Sequence, residues 1–150
     1  MSDLQELYQE VIIDHSRHPR NFRPMDGADR KVEGHNPLCG DHLSLYLKMS
    51  DGRIDDLSFQ GVACAISTAS ASIMTSMMKG RSKVEADEWF RRFHKLLTSD
   101  IQLDPMDDQF GELAALIGVR RFPIRVKCAT LAWHALNAAL TSHEGTITTE

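Results

Sequence analysis

Three cysteines, each in its own short motif, constrain this chain more than any other feature: Asn36-Pro37-Leu38-Cys39-Gly40-Asp41, Gly61-Val62-Ala63-Cys64-Ala65-Ile66-Ser67 and Arg125-Val126-Lys127-Cys128-Ala129. An odd number of cysteines cannot be paired off into disulfides, which favours metal or sulfur chemistry over structural stapling. With Asp41 the set offers three thiolates and a carboxylate, and four such ligands fill a tetrahedral zinc site. The gaps are 24 residues between Cys39 and Cys64 and 63 between Cys64 and Cys128, so no local zinc finger is present. The fold itself has to bring the candidate ligands together. Isolated cysteines also serve as small buried apolar side chains, so the flanking residues carry the functional reading.

The 150 residues are 42% apolar and 25% charged, the length and composition of a single domain, residues 1–150, with a full-sized core. The segment Met1-Ser2-Asp3-Leu4-Gln5-Glu6 has neither the basic start nor the apolar run of a secretory signal, and no apolar stretch approaches the roughly 18 residues of a membrane span. A soluble, cytoplasmic protein with no membrane partner is expected. In that compartment thiols stay reduced and available as ligands or nucleophiles. A net charge of -4 argues against nucleic acid as a partner, which calls for a basic surface. The local exception is Arg120, Arg121, Arg125 and Lys127, which precede Cys128 and are read either as a positive rim beside it or as a solvated charged loop.

Apolar spacing at Leu4, Leu7, Tyr8, Val11, Ile12 and His15 predicts a first helix ending before Pro19. A strand is expected around Arg30 to Gly34. Alternation at Leu43, Leu45, Leu47 and Met49 predicts a second strand, Asp51-Gly52 a hairpin turn, and Leu57 and Phe59 the return strand. The loops of this small antiparallel sheet are expected to carry Cys39 and Asp41, with Cys64 just beyond the last strand. From Cys64 the period changes, and Ile66, Ala69, Ile73 and Met77 mark a helix that Gly80 stops. Further helices are predicted over Val84 to Leu97, Phe110 to Ile117, and along the stripe Leu131 to Leu140 extended back one turn to Cys128. Asp104 to Asp108 reads as a polar connector and the tail from Thr141 as frayed.

Cys64 and Cys128 both fall near predicted helix starts, where free N–H groups and the helix dipole stabilise a thiolate. Gly40 lets the backbone turn so that Cys39 and Asp41 can converge on one ion. The seven histidines are scattered and read as surface or hydrogen-bonded groups; His42 alone adjoins the proposed site. Met74, Met77 and Met78 read as core filler and Trp133 as packing.

Taken together, the motifs resemble the IscU/NifU-type iron-sulfur assembly scaffold superfamily, and within it the zinc-containing SufU branch. The N-terminal stretch Tyr8 to Asn21, with Asp14-His15 and His18-Pro19-Arg20-Asn21, is similar to the first helix and loop of that family. The segment from Asn36 to Asp41 is its most specific signature, and the segment from Gly61 to Ser67 with Ala69-Ser70-Ala71-Ser72 resembles its second cysteine motif. Ala63 stands where a glycine is usual, a departure that removes no ligand. Lys127 stands where scaffold-type members carry histidine before the third cysteine, as in SufU-like proteins, and an ammonium cannot ligate metal. The region from about Arg81 to Pro123 fits the insertion of the SufU branch.

The resemblance implies an α+β, SufE/IscU-like fold: a small three-stranded antiparallel sheet with helices packed on one side. It implies zinc held by Cys39, Asp41, Cys64 and Cys128, a complex of formal charge about -2 that Arg125 or Lys127 would offset. It also implies a partner, a pyridoxal-phosphate-dependent, SufS-like cysteine desulfurase. A histidine of that enzyme would take over a metal position, freeing Cys39 as the catalytic thiolate that accepts persulfide sulfur by exchange and passes it toward a downstream iron-sulfur assembly scaffold. Cys39 is favoured over Cys64 and Cys128 because it lies in a glycine-containing loop outside the predicted helices. Two alternatives remain open at this level: a scaffold on which a [2Fe-2S] cluster is built, since thiolate sites suit both metals, and an interaction module whose zinc is only structural.

Overall fold

The computed structural model of the protein describes residues 3–102, 109–141 and 145–149; the connector expected at 104–108 lies outside them. Helix α1 (Asp3–Arg17) carries Asp3 and Glu6 in its first turn and Arg17 in its last, charges that suit the ends of the helix dipole. It stops before Pro19 as predicted. Strands β1 (Arg30–Asn36), β2 (Asp41–Ser50) and β3 (Arg53–Val62) form an antiparallel meander. Asp51 and Gly52 join the last two with φ of 51° and 77°, both left-handed, as a tight hairpin turn requires.

The register puts Val32 opposite Leu45, Gly34 opposite Leu43 and Asn36 opposite Asp41, while Leu45 and Leu43 face Phe59 and Gly61 on the other side. Alternation then buries Val32, Leu43, Leu45, Leu47, Leu57 and Phe59 on one face. Each of the larger of these side chains contributes roughly 1.5–3 kcal/mol by leaving water. Asn36 and Asp41 share that inward parity, so the sheet carries two polar residues into the protein at one end.

Two expectations are corrected here. The tail from Thr141 does not simply fray: residues Gly145–Thr148 form strand β4, which pairs in parallel with β1 and gives a four-stranded sheet of order β3-β2-β1-β4. Ile147, opposite Gly34, packs against the core. A strand also suits the β-branched run Thr146-Ile147-Thr148. Asp41, expected in a loop, is the first residue of β2, because the turn after Asn36 closes within four residues, with Gly40 at φ 71°.

Helix α2 (Ala65–Met78) is followed by α3 (Lys83–Leu97), which starts on a reciprocal cap between Ser82 and Glu85. The segment predicted as a short helix from Phe110 is a 3-10 helix, Gly111–Arg121. Phe110, which precedes it, and Leu113, Leu116 and Val119 within it are buried at every third position, which matches three residues per turn. Helix α4 (Pro123–Leu140) begins with proline in its first turn, where the missing N–H is no loss.

The helices cover one face of the sheet. Helix α4 lies over β1 and β2 with Leu131 against Gly34, where an added Cβ would come within 3.3 Å of Leu131 Cδ1. Helix α2 packs beside it, and the Ser70 hydroxyl donates to the Ala129 carbonyl between them. Met74, Met78 and Trp133 are core residues, as read from the sequence. Among the described residues no helix is long and apolar enough to cross a membrane.

Candidate metal centre

Each candidate ligand is delivered by a different piece of the fold. Cys39 lies in the β1–β2 turn, Asp41 opens β2, Cys64 precedes α2, and Cys128 sits in the second turn of α4. The close approach of Leu131 to Gly34 sets Cys128, one turn earlier on α4, over Asn36, two residues later on β1. Cys39 Sγ and Cys128 Sγ are 3.1 Å apart, and one ligand atom each from Cys39, Asp41 and Cys128 lie within 4.8 Å of one another. Cys64 joins this group through Asp41, its Sγ 3.8 Å from Asp41 Oδ2. The four sequence-predicted site residues therefore converge, three tightly and Cys64 at the margin.

The carboxylate is braced on both oxygens. The Cys64 N–H donates to Asp41 Oδ1 at 2.8 Å, and Asn36 Nδ2 donates to Asp41 Oδ2 at 3.3 Å. Asn36 Nδ2 also lies 3.3 Å from Cys128 Sγ. Asn36 and Asp41 are fully buried, whereas Cys39 is exposed and Cys64 half-buried. Gly61 makes this end of the sheet possible: its φ is 145°, and a Cβ there would stand 2.1 Å from the carbonyl oxygen of His42.

Helix-start stabilisation holds for Cys64, where burial outweighs it, and does not hold for Cys128. Helix α4 begins five residues before Cys128, so the Cys128 N–H is not among the free groups of the first turn. Burial pushes the Cys128 thiol far up, and its neighbours Cys39, Asp41 and Cys64 add to the rise. Cys64 does cap α2, its Sγ accepting the Ser67 N–H at 3.4 Å. Burial nevertheless raises its thiol too, against that bond and with the charge of Asp41 adding to burial. Crowded acidic groups out of water favour the protonated state unless a cation compensates them.

Among the described residues no lysine or arginine forms an ion pair with Asp41. Arg125, expected to offset the site, places its guanidinium 4.6 Å over the Phe122 ring. Arg120 donates to the Ser99 and Ile101 carbonyls, so the basic cluster is divided between different tasks. His42 lies on the opposite sheet face and pairs with Glu33 at 2.8 Å. A buried carboxylate without an ion-pair partner, beside three thiols, fits a metal cation, and the Cys39, Asp41 and Cys128 group can hold one. Asn36, which the motif alone gives no role, is part of the site; its signal in the sequence is a polar residue at the inward parity of Val32 and Gly34.

Comparison with known proteins agrees with this geometry. A match to the NifU-like N terminal domain family spans residues 7–150. The chain is 41% identical over 140 residues to the iron-sulfur cluster assembly scaffold protein IscU of Streptococcus pyogenes serotype M1, covering 93% of this chain and 86% of that protein. It is 38% identical over 144 residues to the zinc-dependent sulfurtransferase SufU of Bacillus subtilis strain 168, covering 96% of each. In three dimensions it is similar to an iron-sulfur cluster assembly scaffold protein for the SUF system from Fervidobacterium islandicum AW-1, with TM-score 0.80, 31% identity, and coverage of 91% of this chain and 98% of that one. The N-terminal NifU-like protein of Brucella abortus shares the fold at TM-score 0.81 and 22% identity, over 93% and 96% of the two chains. With its α+β architecture and converging cysteines, the chain belongs to the NifU-like N terminal domain family.

Proposed function

We propose that this protein works in iron-sulfur cluster assembly as a zinc-dependent sulfur-transfer protein, accepting persulfide sulfur on Cys39 from a pyridoxal-phosphate-dependent cysteine desulfurase. The observation that carries the reading is the asymmetry of the site. Asp41 and Cys128 are buried and hydrogen-bonded, while Cys39 is exposed in a turn beside them. Lys127 before Cys128, where a ligating histidine is usual in scaffold members, and the relative named as a zinc-dependent sulfurtransferase support it further. In this reading Cys39, Asp41, Cys64 and Cys128 hold zinc, which when bound keeps thiolates deprotonated without changing their oxidation state.

The residues of the chain then divide the work. Asn36 and the Cys64 N–H hold the Asp41 carboxylate in place, and α4 holds Cys128. Leu38 beside Cys39 and Ile124 one turn before Cys128 are both more than half exposed, an apolar rim suited to excluding water when a partner covers the site. The Cys39 thiolate, exposed at that rim, attacks the outer sulfur of the persulfide. The bond between that sulfur and the donor cysteine breaks, the donor leaves as a thiolate, and the sulfur is carried on Cys39 with no net oxidation. A downstream iron-sulfur scaffold is the proposed recipient.

A second reading, in which a [2Fe-2S] cluster is assembled on the same residues, is favoured by the scaffold name of the Streptococcus relative. Metal analysis with ultraviolet-visible absorbance of the purified protein separates the two. The proposal expects about one zinc per chain, as a four-ligand site holds, and no visible chromophore. Iron, sulfide and an oxygen-sensitive colour would move the function to the scaffold.

A further inference from the structure

The four candidate ligands differ in how the protein grips them. Asp41 accepts from the Cys64 N–H on Oδ1 and from Asn36 Nδ2 on Oδ2. Cys128 is 1% exposed and accepts from Asn36 Nδ2. Cys64 Sγ accepts from the Ser67 N–H. Cys39 Sγ accepts from no N–H among the described residues; its recorded neighbour is the Cys128 thiol. Its loop is tied back through its own N–H to the Asn36 carbonyl at 3.3 Å.

Asn36 stands at the centre of this difference. Its amide is fully buried, and its Nδ2 donates toward both Asp41 Oδ2 and Cys128 Sγ, each at 3.3 Å. Its Oδ1 accepts the Leu38 N–H at 3.3 Å. A flipped amide would turn Oδ1 toward two acceptors and Nδ2 toward a donor, so the partners define one orientation. An amide N–H directed at a thiolate and a carboxylate offsets negative charge without adding a titratable group, which suits a buried carboxylate that no lysine or arginine pairs with.

We infer that Asn36 is a positioning residue that keeps Asp41 and Cys128 bound to the metal, and thereby makes Cys39 the ligand that is released. The inference rests on the proposed zinc site and deepens it, because it supplies a reason for the order of release within this chain. Partner outer-shell groups of this kind change metal affinity by about 10- to 100-fold when removed. Loss of the Asn36 amide takes the donor from Cys128 outright, whereas the Cys39 turn loses only the Leu38 N–H bond to Oδ1 and keeps the Cys39 N–H bond to the Asn36 backbone carbonyl, so Cys128 is loosened more than Cys39.

The test uses the full zinc-loaded chain and its Asn36→Ala and Asn36→Ser variants, followed by two readouts. One is zinc transfer to a chromophoric chelator; the other is a time course of N-ethylmaleimide labelling, quantified for each cysteine peptide by mass spectrometry. In the parent, Cys39 is labelled first and Cys128 last. Asn36→Ala is expected to speed both zinc transfer and Cys128 labelling by about tenfold or more, with Cys39 changing by a clearly smaller factor, and Asn36→Ser, which keeps a donor, to fall between. If Asn36→Ala does not fold, as thermal melting reports, Asn36→Ser carries the same criteria. An unchanged ratio of Cys128 to Cys39 labelling, or equal acceleration at all three cysteines, overturns the role of Asn36. A parent that cannot be loaded with zinc instead overturns the proposed function itself.

Discussion

Asp41 and Cys64 lie 23 residues apart in sequence and meet on both carboxylate oxygens, the Cys64 N–H donating to Oδ1 at 2.8 Å and the Cys64 Sγ lying 3.8 Å from Oδ2. One candidate ligand is thus braced by the backbone that carries another. Asp41→Ala removes the carboxylate and leaves a partly buried N–H without its acceptor, at a cost of about 1–3 kcal/mol. The variant is expected to melt at lower temperature and to retain less zinc after dialysis, both measured against the parent. Parent-like zinc content would remove Asp41 from the ligand set.

Gly61→Ala tests whether the β2–β3 pairing positions the site. The added methyl would meet the His42 carbonyl from a backbone at φ 145°, where side chains other than hydrogen are strained. A destabilisation of about 1–3 kcal/mol is expected from the backbone alone, with more from the clash. His42 adjoins Asp41, so zinc retention is expected to fall together with the melting temperature. A variant with parent stability would mean that the strands separate freely at this end.

The raised thiols give a pH dependence with a definite sign. Burial lifts Cys128 and Cys64 above their unfolded value in the metal-free protein. Folding therefore favours the protonated thiols, and that stability is fully present below the unfolded thiol value of about 8.5 and lost as pH rises past it toward the folded values. Thermal melts of metal-free protein are expected to fall from about pH 8 to pH 10, and those of zinc-loaded protein to fall less, because its thiolates are already compensated. Parallel curves would show that the metal does not contact these thiols.

Serine substitutions are expected to separate the cysteines by role. Cys64→Ser and Cys128→Ser lose zinc and, because metal binding is coupled to folding, melt at clearly lower temperature. Cys39→Ser, altered in an exposed turn, is expected to lose stimulation of the desulfurase with a smaller change in melting. Equal thermal effects for all three would argue against a distinct part for Cys39.

Much of the site was legible in the residues because its motifs are local: Asn36 to Asp41 is one hairpin turn, and Cys64 caps the helix that the change of period announced. The meander and its turn followed from alternation at Leu43 to Phe59 and from Asp51-Gly52. What escaped was non-local. Strand β4 depends on β1 as a template more than 100 residues earlier in the chain, and its four residues are too few to announce a strand. The start of α4 at Pro123, which puts Cys128 past the first turn, is hidden in the sequence because Pro123 and the basic residues after it mask the helical period. Arg125 had an aromatic partner, Phe122, as close in sequence as the site it was expected to serve. Asn36 needed the third dimension, since its two targets lie 5 and 92 residues away.

The central claim, that Cys39 receives the sulfur, is tested most directly by mass spectrometry of the cysteine-containing peptides after zinc-loaded protein has reacted with a cysteine desulfurase and cysteine. The account predicts an added mass of about 32 Da, one sulfur atom, on the Cys39 peptide, as transfer by thiolate attack on a persulfide requires. Added sulfur chiefly on Cys64 or Cys128, with Cys39 unmodified, would contradict it.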